Sequence, residues 1–329
     1  MKKILVTGGA GFVGRHLCKA LLDRGDHVIC VDSIVPLTGG ICPFEGGWPL
    51  YNPLDYDRFV FIRQDCRDFF SNPQWTDFDE VFHLAAIVGG REMIEHNPLA
   101  VAEDLAIDAM FWRWTQVHRP GKIVCFSSSA AYPVRLQRAE SYMLLAEDMI
   151  CFDKDLGVPD MSYGWSKLTH EYLANIAHQK YGLDVVTYRP FSGYGEDQDM
   201  AYPFPSICHR VICESASQSI KVWGSGDQMR DFIHVEDCVR GVLLTMHQIH
   251  DASAVNLSSG IFTKFRDLAR KAANEVGFDP EIIGMSQKPE GVFARAGDTI
   301  KQRQMGFVPE ISLQQGVARC INYFQRAAS

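Results

Sequence analysis

Thr7-Gly8-Gly9-Ala10-Gly11-Phe12-Val13-Gly14 is the stretch of this sequence that decides the fold. It follows the apolar run Lys3–Thr7, which is typical of a buried β-strand, and it leads into an amphipathic pattern at Val13–Leu22. Glycines permit a tight turn between a strand and a helix and let the backbone approach a bound molecule closely. The N–H groups at the start of a helix attract phosphate. The stretch therefore predicts that the pyrophosphate of a dinucleotide cofactor is bound by Gly8, Gly11, Phe12, Val13 and Gly14.

The alternation of strand and helix continues outward from this turn through the first half of the chain. Strands are predicted at Lys3–Thr7, His27–Asp32, Phe59–Gln64, Glu80–Leu84, Lys122–Ser127 and Leu183–Arg189, and helices at Val13–Leu22, Leu99–Val117 and Ser162–Tyr181. Strands separated by helices form a parallel sheet that is covered on both faces. The predicted fold is therefore α/β: a Rossmann-type doubly wound parallel sheet with a smaller C-terminal α/β substrate lobe.

The identity of the cofactor follows from Asp32, which ends the second predicted strand about 20 residues beyond the glycines. A carboxylate at this place binds the ribose 2′-hydroxyl and repels a 2′-phosphate, so NAD is favoured over NADP. Beyond about Tyr188 the pattern loosens into shorter elements and loops rich in Gly and Pro, which commonly carry binding contacts. We therefore expect residues 1–188 to form the NAD-binding domain. Residues 189–329 are expected to form the substrate lobe, partly interleaved with the first domain.

Composition excludes several classes of protein. The formal net charge is −8 with no long basic run, which argues against nucleic acid as a partner. No window reaches the ~18 uninterrupted apolar residues of a membrane span, and the N-terminus lacks the pattern of a signal peptide. The ten cysteines show no Cys-x-x-Cys pair and no zinc spacing, so we expect reduced thiols, no metal and a cytoplasmic location.

Tyr163-Gly164-Trp165-Ser166-Lys167 places a tyrosine and a lysine four residues apart, which on a helix brings both side chains to one face. A lysine ammonium and the positive nicotinamide ring stabilise a tyrosinate, which can take a hydroxyl proton while hydride leaves the same carbon. By itself the spacing also fits a surface helix that carries the two residues by chance. Its position after the fifth predicted strand of a dinucleotide fold favours the catalytic interpretation.

With these motifs the chain resembles the extended short-chain dehydrogenases/reductases of the sugar-nucleotide epimerase/dehydratase family. The matching pieces are residues 7–14, Asp65-Cys66-Arg67-Asp68, His83-Leu84-Ala85-Ala86, Phe126-Ser127-Ser128-Ser129, Tyr163 with Lys167, Arg189-Pro190-Phe191, residues 230–235 and Arg295-Ala296-Gly297-Asp298. The resemblance implies that Asp65 reads adenine beside Cys66, and that Leu84, Ala85 and Ala86 lie along the cofactor. It also implies a hydroxyl that binds the reacting sugar oxygen. Ser128 is preferred for that role, and Ser129 stays open.

The same resemblance implies a nucleotide-linked sugar as substrate, held by arginines at its diphosphate. Arg230 and Arg295 are the candidates, although either arginine could be a salt-bridge partner instead. Ser192 stands where many relatives have a phosphate-binding asparagine. Val88 and Gly89 are expected beside the sugar, and the small residues there could equally reflect tight backbone packing.

The residues around Ser128 restrict the reaction. Dehydratases carry an Asp-Glu pair just after the catalytic hydroxyl, where this chain has Ser129, Ala130 and Ala131. Segment 127–133 looks most like GDP-mannose 3,5-epimerases, but Ala130 and Ala201 stand where those enzymes have their cysteine and lysine. What remains is C4 epimerisation through a transient 4-keto sugar, with a weak preference for GDP over UDP. Net C4 dehydrogenation and a non-catalytic NAD-binding regulatory protein are the alternatives. The non-catalytic alternative is kept open by Glu103-Asp104-Leu105, where relatives often have an asparagine.

Family members usually dimerise through the helices that match Leu99–Val117 and Ser162–Tyr181, so a homodimer is expected. Phe111, Trp112 and Trp114 would fit burial at such an interface. They would equally fit packing on the sheet of their own subunit.

Overall fold

The computed structural model describes residues 1–35, 38–215 and 217–327. The strands in these ranges are β1 (Lys3–Thr7), β2 (His27–Asp32), β3 (Phe59–Arg63), β4 (Glu80–His83), β5 (Lys122–Phe126), β6 (Leu144–Leu145), β7 (Val185–Pro190), β8 (Ser192–Tyr194), β9 (Ser219–Trp223), β10 (Met229–Arg230), β11 (Phe232–His234), β12 (Asp251–Leu257), β13 (Thr263–Lys264), β14 (Glu281–Met285) and β15 (Ala294–Gly297).

The helices in the same ranges are α1 (Phe12–Asp23), α2 (Cys66–Ser71), α3 (Arg91–His96), α4 (Pro98–Val101), α5 (Asp104–His118), α6 (Met161–Tyr181), α7 (Pro203–Cys213), α8 (Val235–Thr245), α9 (Phe265–Val276), α10 (Ile300–Gln304) and α11 (Leu313–Ala327). A short 3-10 turn at Ser129–Ala131 follows β5.

Seven strands form one parallel sheet in the order β3-β2-β1-β4-β5-β7-β12. Alternate residues of each strand face opposite sides, so Ile4 and Val6 pack in one core with α1 and α8. Leu5 packs in a second core with α2, α5 and α6 on the other side. Both faces of the sheet are covered and most of its strand residues are buried and apolar, so the Rossmann-type doubly wound fold is confirmed.

One predicted helix is observed in two parts, and several observed elements were not predicted. The helix predicted over Leu99–Val117 is divided into α4 and α5, because the chain turns at Ala102 and Glu103. The seventh strand of the sheet, β12, comes from the second half of the chain and pairs with β7. Every other predicted strand and helix lies within two residues of an observed one.

In the second half of the chain, α7, α9 and α11 form a separate apolar cluster with β9. A small sheet in the order β13-β10-β15-β6 joins three strands from the second half of the chain to β6 from the first half. Its strands β10 and β15 are parallel, and the register places Arg230 directly beside Arg295.

The aromatic residues of α5 are buried within the subunit. Phe111 is fully buried and stacks on His83 with ring centres 3.9 Å apart, and Trp112 and Trp114 lie in the same core. Of the two interpretations given above for these side chains, packing on their own sheet is the one observed. In the described part of the chain, no helix has the length and apolar character needed to cross a membrane.

Candidate active site

The glycine turn between β1 and α1 is closed by backbone contacts that leave no room for side chains. Gly8 has a φ of +72°, and a Cβ there would lie 2.6 Å from the backbone nitrogen of Ala85. A Cβ on Gly14 would lie 2.3 Å from the carbonyl oxygen of Gly8. Helix α1 begins at Phe12 with Gly11 as its N-cap, and no side chain caps its first N–H groups. The N-terminus of α1, at Gly11, Phe12 and Val13, is therefore available to a phosphate.

Asp32 lies at the end of β2 against this turn and is nearly buried. One carboxylate oxygen accepts the Ala10 N–H at 3.0 Å, and the other accepts the Ile34 N–H at 2.9 Å. Burial raises the pKa of Asp32, and these N–H donors partly oppose that effect. The carboxylate is thus fixed beside the glycines, where a ribose hydroxyl could bind it.

Two more segments predicted to contact the cofactor follow β3 and β4. Asp65 caps α2 by accepting the Arg67 N–H at 2.8 Å, and the Arg67 guanidinium lowers the pKa of Asp65. Cys66 is buried, and burial raises the pKa of its thiol, so it is an inert residue here. Leu84, Ala85 and Ala86 are half-buried directly after β4, next to Gly8. The adenine contact of Asp65 stays a prediction.

Helix α6 brings the predicted catalytic pair to the same edge of the sheet. Gly164 lets this helix pack directly against the turn after β5, because a Cβ there would lie 2.5 Å from the Ala130 carbonyl oxygen. The ammonium of Lys167 lies 5.8 Å from the centre of the Tyr163 ring. Lys167 is buried, whereas Tyr163 is half-buried and accessible from the site.

The two candidate hydroxyls, Ser128 and Ser129, follow β5 in the turn that contacts α6. Ser128 is half-buried, and its Oγ accepts the Ala130 N–H at 3.1 Å, which leaves its own hydrogen free to donate. Ser129 is 6% exposed. The exposure of Ser128 favours it as the hydroxyl that contacts a sugar oxygen.

Sequence reasoning missed a buried polar cluster behind Lys167. The Lys167 ammonium lies 3.8 Å from the carboxylate of Asp104. One turn further along α5, Asp108 lies 3.2 Å from the His83 ring and 3.0 Å from the His170 ring. Burial lowers the pKa of His83 to about 4, although Asp108 opposes this, so the imidazole is neutral near pH 7. Only the stretch Glu103-Asp104-Leu105, noted as a departure from relatives, pointed towards this cluster.

Arginines converge at the opening of the site. The Arg295 guanidinium donates to Asp160 at 2.8 Å, and Arg91 donates to the same carboxylate at 3.0 and 3.1 Å. A Cβ on Gly291 would lie 3.3 Å from atoms of both Arg91 and Arg230, so the three guanidinium groups are neighbours. Arg295 is therefore an ion-pair partner as well as a candidate phosphate ligand. Arg91 was not predicted, although it follows Gly89-Gly90 directly.

Arg230 differs from its neighbours because, among the described residues, no carboxylate lies within 4 Å of its guanidinium. It donates instead to the carbonyl oxygens of Met229 at 2.8 Å, Val292 at 2.9 Å and Glu290 at 3.2 Å. Burial lowers the pKa of Arg230, and the positive charge of Arg295 adds to this effect. A guanidinium stays charged near neutral pH, so an anion bound here would be stabilised.

A cavity of about 1000 Å³ opens beside this arginine cluster, a size that ligand sites commonly have. Its walls include Arg91, Gln137, Asp160, Trp165 and Val292.

The remaining predicted substrate residues are accessible to different extents. Ser192 is half-buried in β8, and its N–H donates to the Asp231 carbonyl oxygen at 2.9 Å. Val88 and Gly89 are half-buried before α3. A Cβ on Gly90 would lie 2.4 Å from the Ala201 carbonyl oxygen, which supports the packing interpretation for that glycine. Sugar contacts of Val88, Gly89 and Ser192 stay predictions.

Comparison with known proteins agrees with this geometry. Residues 4–258 match the profile of the family described as "NAD dependent epimerase/dehydratase family". An uncharacterized UDP-glucose epimerase of Bacillus subtilis is 29% identical, with 98% of this chain and 97% of the relative covered. The GDP-L-fucose synthase of Escherichia coli is 24% identical, with coverage of 98% and 96%.

Solved structures share the fold over the whole chain. The UDP-glucose 4-epimerase of Thermotoga maritima, solved with UDP-glucose, superposes with a TM-score of 0.80 at 24% identity, covering 99% of this chain and 100% of that one. The UDP-glucuronic acid 4-epimerase of Bacillus cereus, solved with UDP-glucuronic acid and NAD, gives a TM-score of 0.78 at 25% identity and 99% coverage of both chains. The glycine turn, the Tyr-Lys pair and the matched profile lead to one conclusion: this chain belongs to the NAD-dependent epimerase/dehydratase family of enzymes.

Proposed function

We propose that this enzyme interconverts two nucleotide-diphosphate hexoses that differ at C4, through a transient 4-keto sugar. The observation that carries the proposal is the position of Tyr163 and Lys167 on α6, packed beside the Ser128 turn at the edge that holds the glycine turn. With the pyrophosphate of NAD held at the glycine turn, the oxidised nicotinamide would accept hydride from the sugar carbon.

The residues of the chain account for the proton and the orientation. Tyr163 takes the C4 hydroxyl proton, and the ammonium of Lys167 stabilises the phenolate that receives it. Ser128 donates a hydrogen bond to the same sugar oxygen. Arg230 and Arg295 hold the diphosphate through charge-assisted hydrogen bonds. The keto sugar can therefore rotate within the site while its diphosphate stays bound. Hydride then returns to the opposite face of C4.

Three carboxylates near the site are each paired with a cationic side chain, so none of the three is placed to remove a proton from a sugar carbon. Glu171 is buried in an ion pair with Arg189 at 2.6 Å, Asp160 pairs with two arginines, and Asp104 faces Lys167. The turn after Ser128 continues as Ser129, Ala130 and Ala131, without an acid or base. Dehydration and inversion at C3 or C5 both need such a group.

For the nucleotide, we propose uridine ahead of guanosine, which reverses the weak preference drawn from sequence. The B. subtilis relative and both solved structures described above carry UDP-sugars in their names, whereas the E. coli relative carries a GDP-sugar. We also propose a homodimer through α5 and α6; the outer face of α5 exposes Leu105 and Val117. The cytoplasmic location stays a prediction.

The test is incubation of the NAD-loaded enzyme with a panel of UDP- and GDP-hexoses. NMR is expected to detect the C4 epimer, while the absorbance of NADH stays low because each turnover regenerates NAD. Accumulation of NADH with a 4-keto product would establish the dehydrogenase alternative instead. Unchanged sugars together with no NADH would refute both.

Tyr163→Phe keeps the ring beside Lys167 and removes the proton acceptor. The rate is expected to fall by about 10²- to 10⁴-fold, the usual contribution of a general base. Tyr172→Phe is the matched control, because Tyr172 lies on the same helix with its side chain largely exposed, and it should leave the rate unchanged. Full activity of Tyr163→Phe would exclude Tyr163 as the proton acceptor and with it the mechanism proposed here.

A further inference from the structure

Asp104 is a buried carboxylate that connects two parts of the site. It lies at the start of α5 and is 1% exposed. One of its oxygens accepts the backbone N–H of Ile87, which lies between residues 84–86, predicted to contact the cofactor, and Val88, predicted to contact the sugar. Its other oxygen faces the Lys167 ammonium at 3.8 Å and has no hydrogen-bond partner among the described residues.

The charges around Asp104 make it the principal anion of Lys167. Asp108, the other carboxylate of α5 in this cluster, is engaged by His83 from β4 and by His170 from α6. Across the described ranges, Asp104 is the single carboxylate within 4 Å of the Lys167 ammonium. The remaining titratable groups facing the pair are Tyr163 on α6 and Cys125 on β5.

Burial would ordinarily remove the charge from both partners. Burial raises the pKa of Asp104 to about 6, even though Lys167 opposes the effect. Burial also acts to lower the pKa of Lys167, but the attraction of Asp104, followed by that of Tyr163 and Asp108, leaves it raised. Near neutral pH the two groups therefore form a buried ion pair directly behind the Tyr163 ring.

We propose that Asp104 is a positioning residue, whose carboxylate holds the Lys167 ammonium against the Tyr163 ring and ties it to the backbone at Ile87. The inference rests on the roles of Tyr163 and Lys167 in the proposed function. It gives Asp104 two effects of opposite sign. Its negative charge keeps Lys167 protonated, and the same charge disfavours the Tyr163 phenolate.

Removing the charge should therefore move both ionisations in the same direction. Asp104→Asn keeps an oxygen that can accept the Ile87 N–H but carries no charge. In the dependence of kcat on pH, the acid limb reports Tyr163 and the basic limb reports Lys167. Both limbs are expected to move to lower pH by about one pH unit, which is the lower end of the effect of a nearby charge. Asp104→Ser, smaller and also uncharged, should give the same direction, and Asp104→Glu, which keeps the charge, should leave the limbs closer to those of the parent.

The control is Glu103→Gln, which neutralises an adjacent carboxylate whose side chain is 54% exposed and pairs with Arg67. It should leave both limbs in place. Limbs that stay in place in Asp104→Asn and Asp104→Ser, with a uniform loss of rate, would show a merely structural role and overturn the proposal.

A second measurement does not depend on sugar turnover. The ultraviolet absorbance of tyrosinate is followed against pH in the NAD-loaded enzyme, and the curve of Tyr163→Phe is subtracted to isolate Tyr163. The midpoint of this titration should lie at lower pH in Asp104→Asn than in the parent. If the parent shows this titration but converts no sugar nucleotide, the proposed function fails, and a lower midpoint in Asp104→Asn would still support the inference about Asp104. An unchanged midpoint in Asp104→Asn overturns the inference whatever the enzyme converts.

Discussion

Replacing Lys167 by methionine removes a buried ammonium while keeping a side chain of similar length. The ammonium lies 5.8 Å from the centre of the Tyr163 ring. Taking the ring centre as the position of the phenolate charge, Coulomb's law with an effective dielectric constant of about 20 gives roughly 3 kcal/mol of attraction. This corresponds to about two pH units, or a hundredfold in the fraction of tyrosinate. We therefore expect Lys167→Met to lower kcat about 100-fold near neutral pH and to move its acid limb about two units upward.

The assay is the initial rate of sugar-nucleotide conversion across the pH range, with NAD saturation checked separately by titration. Raising the pH should recover most of the lost rate, because the phenolate then forms without help from the ammonium. Lys122→Met is the matched control: Lys122 is also buried, but it starts β5 and pairs with Asp184 at the opposite end of the strand from Ser128. A loss in Lys167→Met that is equal at every pH would refute the electrostatic role of Lys167.

Three further outcomes follow from the geometry. Gly14→Ala places a Cβ 2.3 Å from the Gly8 carbonyl oxygen, so the turn must open. Calorimetry should find NAD binding at least about tenfold weaker, and unaltered binding would contradict the tight turn. Arg295→Met removes a guanidinium from the proposed diphosphate site, so KM should rise about tenfold or more while kcat changes less. A fall in kcat with KM unchanged would exclude a role of Arg295 in substrate binding. Glu171→Gln leaves the buried Arg189 without its carboxylate, so urea unfolding should show a loss of about 3 kcal/mol, and a loss below about 1 kcal/mol would contradict the importance of that pair.

The glycine turn and the strands and helix that adjoin it in sequence were predictable because their determinants are local. Residues 7–14 combine a strand, a turn and a helix within a few residues, and the observed β1 and β2 match the predicted bounds. The Tyr163 and Lys167 pair was predictable for the same reason, since four residues on a helix fix their relative position. The recognised motifs then placed these local pieces in one family.

The surroundings of the site were not predictable, because they depend on contacts between distant parts of the chain. Asp160 lies three residues before Tyr163, yet its partners Arg91 and Arg295 come from α3 and β15. Asp104 meets Lys167 only because α5 packs beside α6. Such pairs leave no periodic pattern in the sequence. The packing of the two sheet faces decides them.

The place of β12 also has a consequence for how this protein is made. Its residues, 251–257, leave the ribosome long after β7, whose backbone N–H and C=O groups on that side have no partner until β12 arrives. A bare sheet edge is a template for pairing with other chains, so the nascent protein carries an aggregation hazard between the synthesis of β7 and that of β12. A fragment ending at residue 188 would keep that edge permanently open, and we expect it to aggregate rather than serve as a free-standing cofactor carrier.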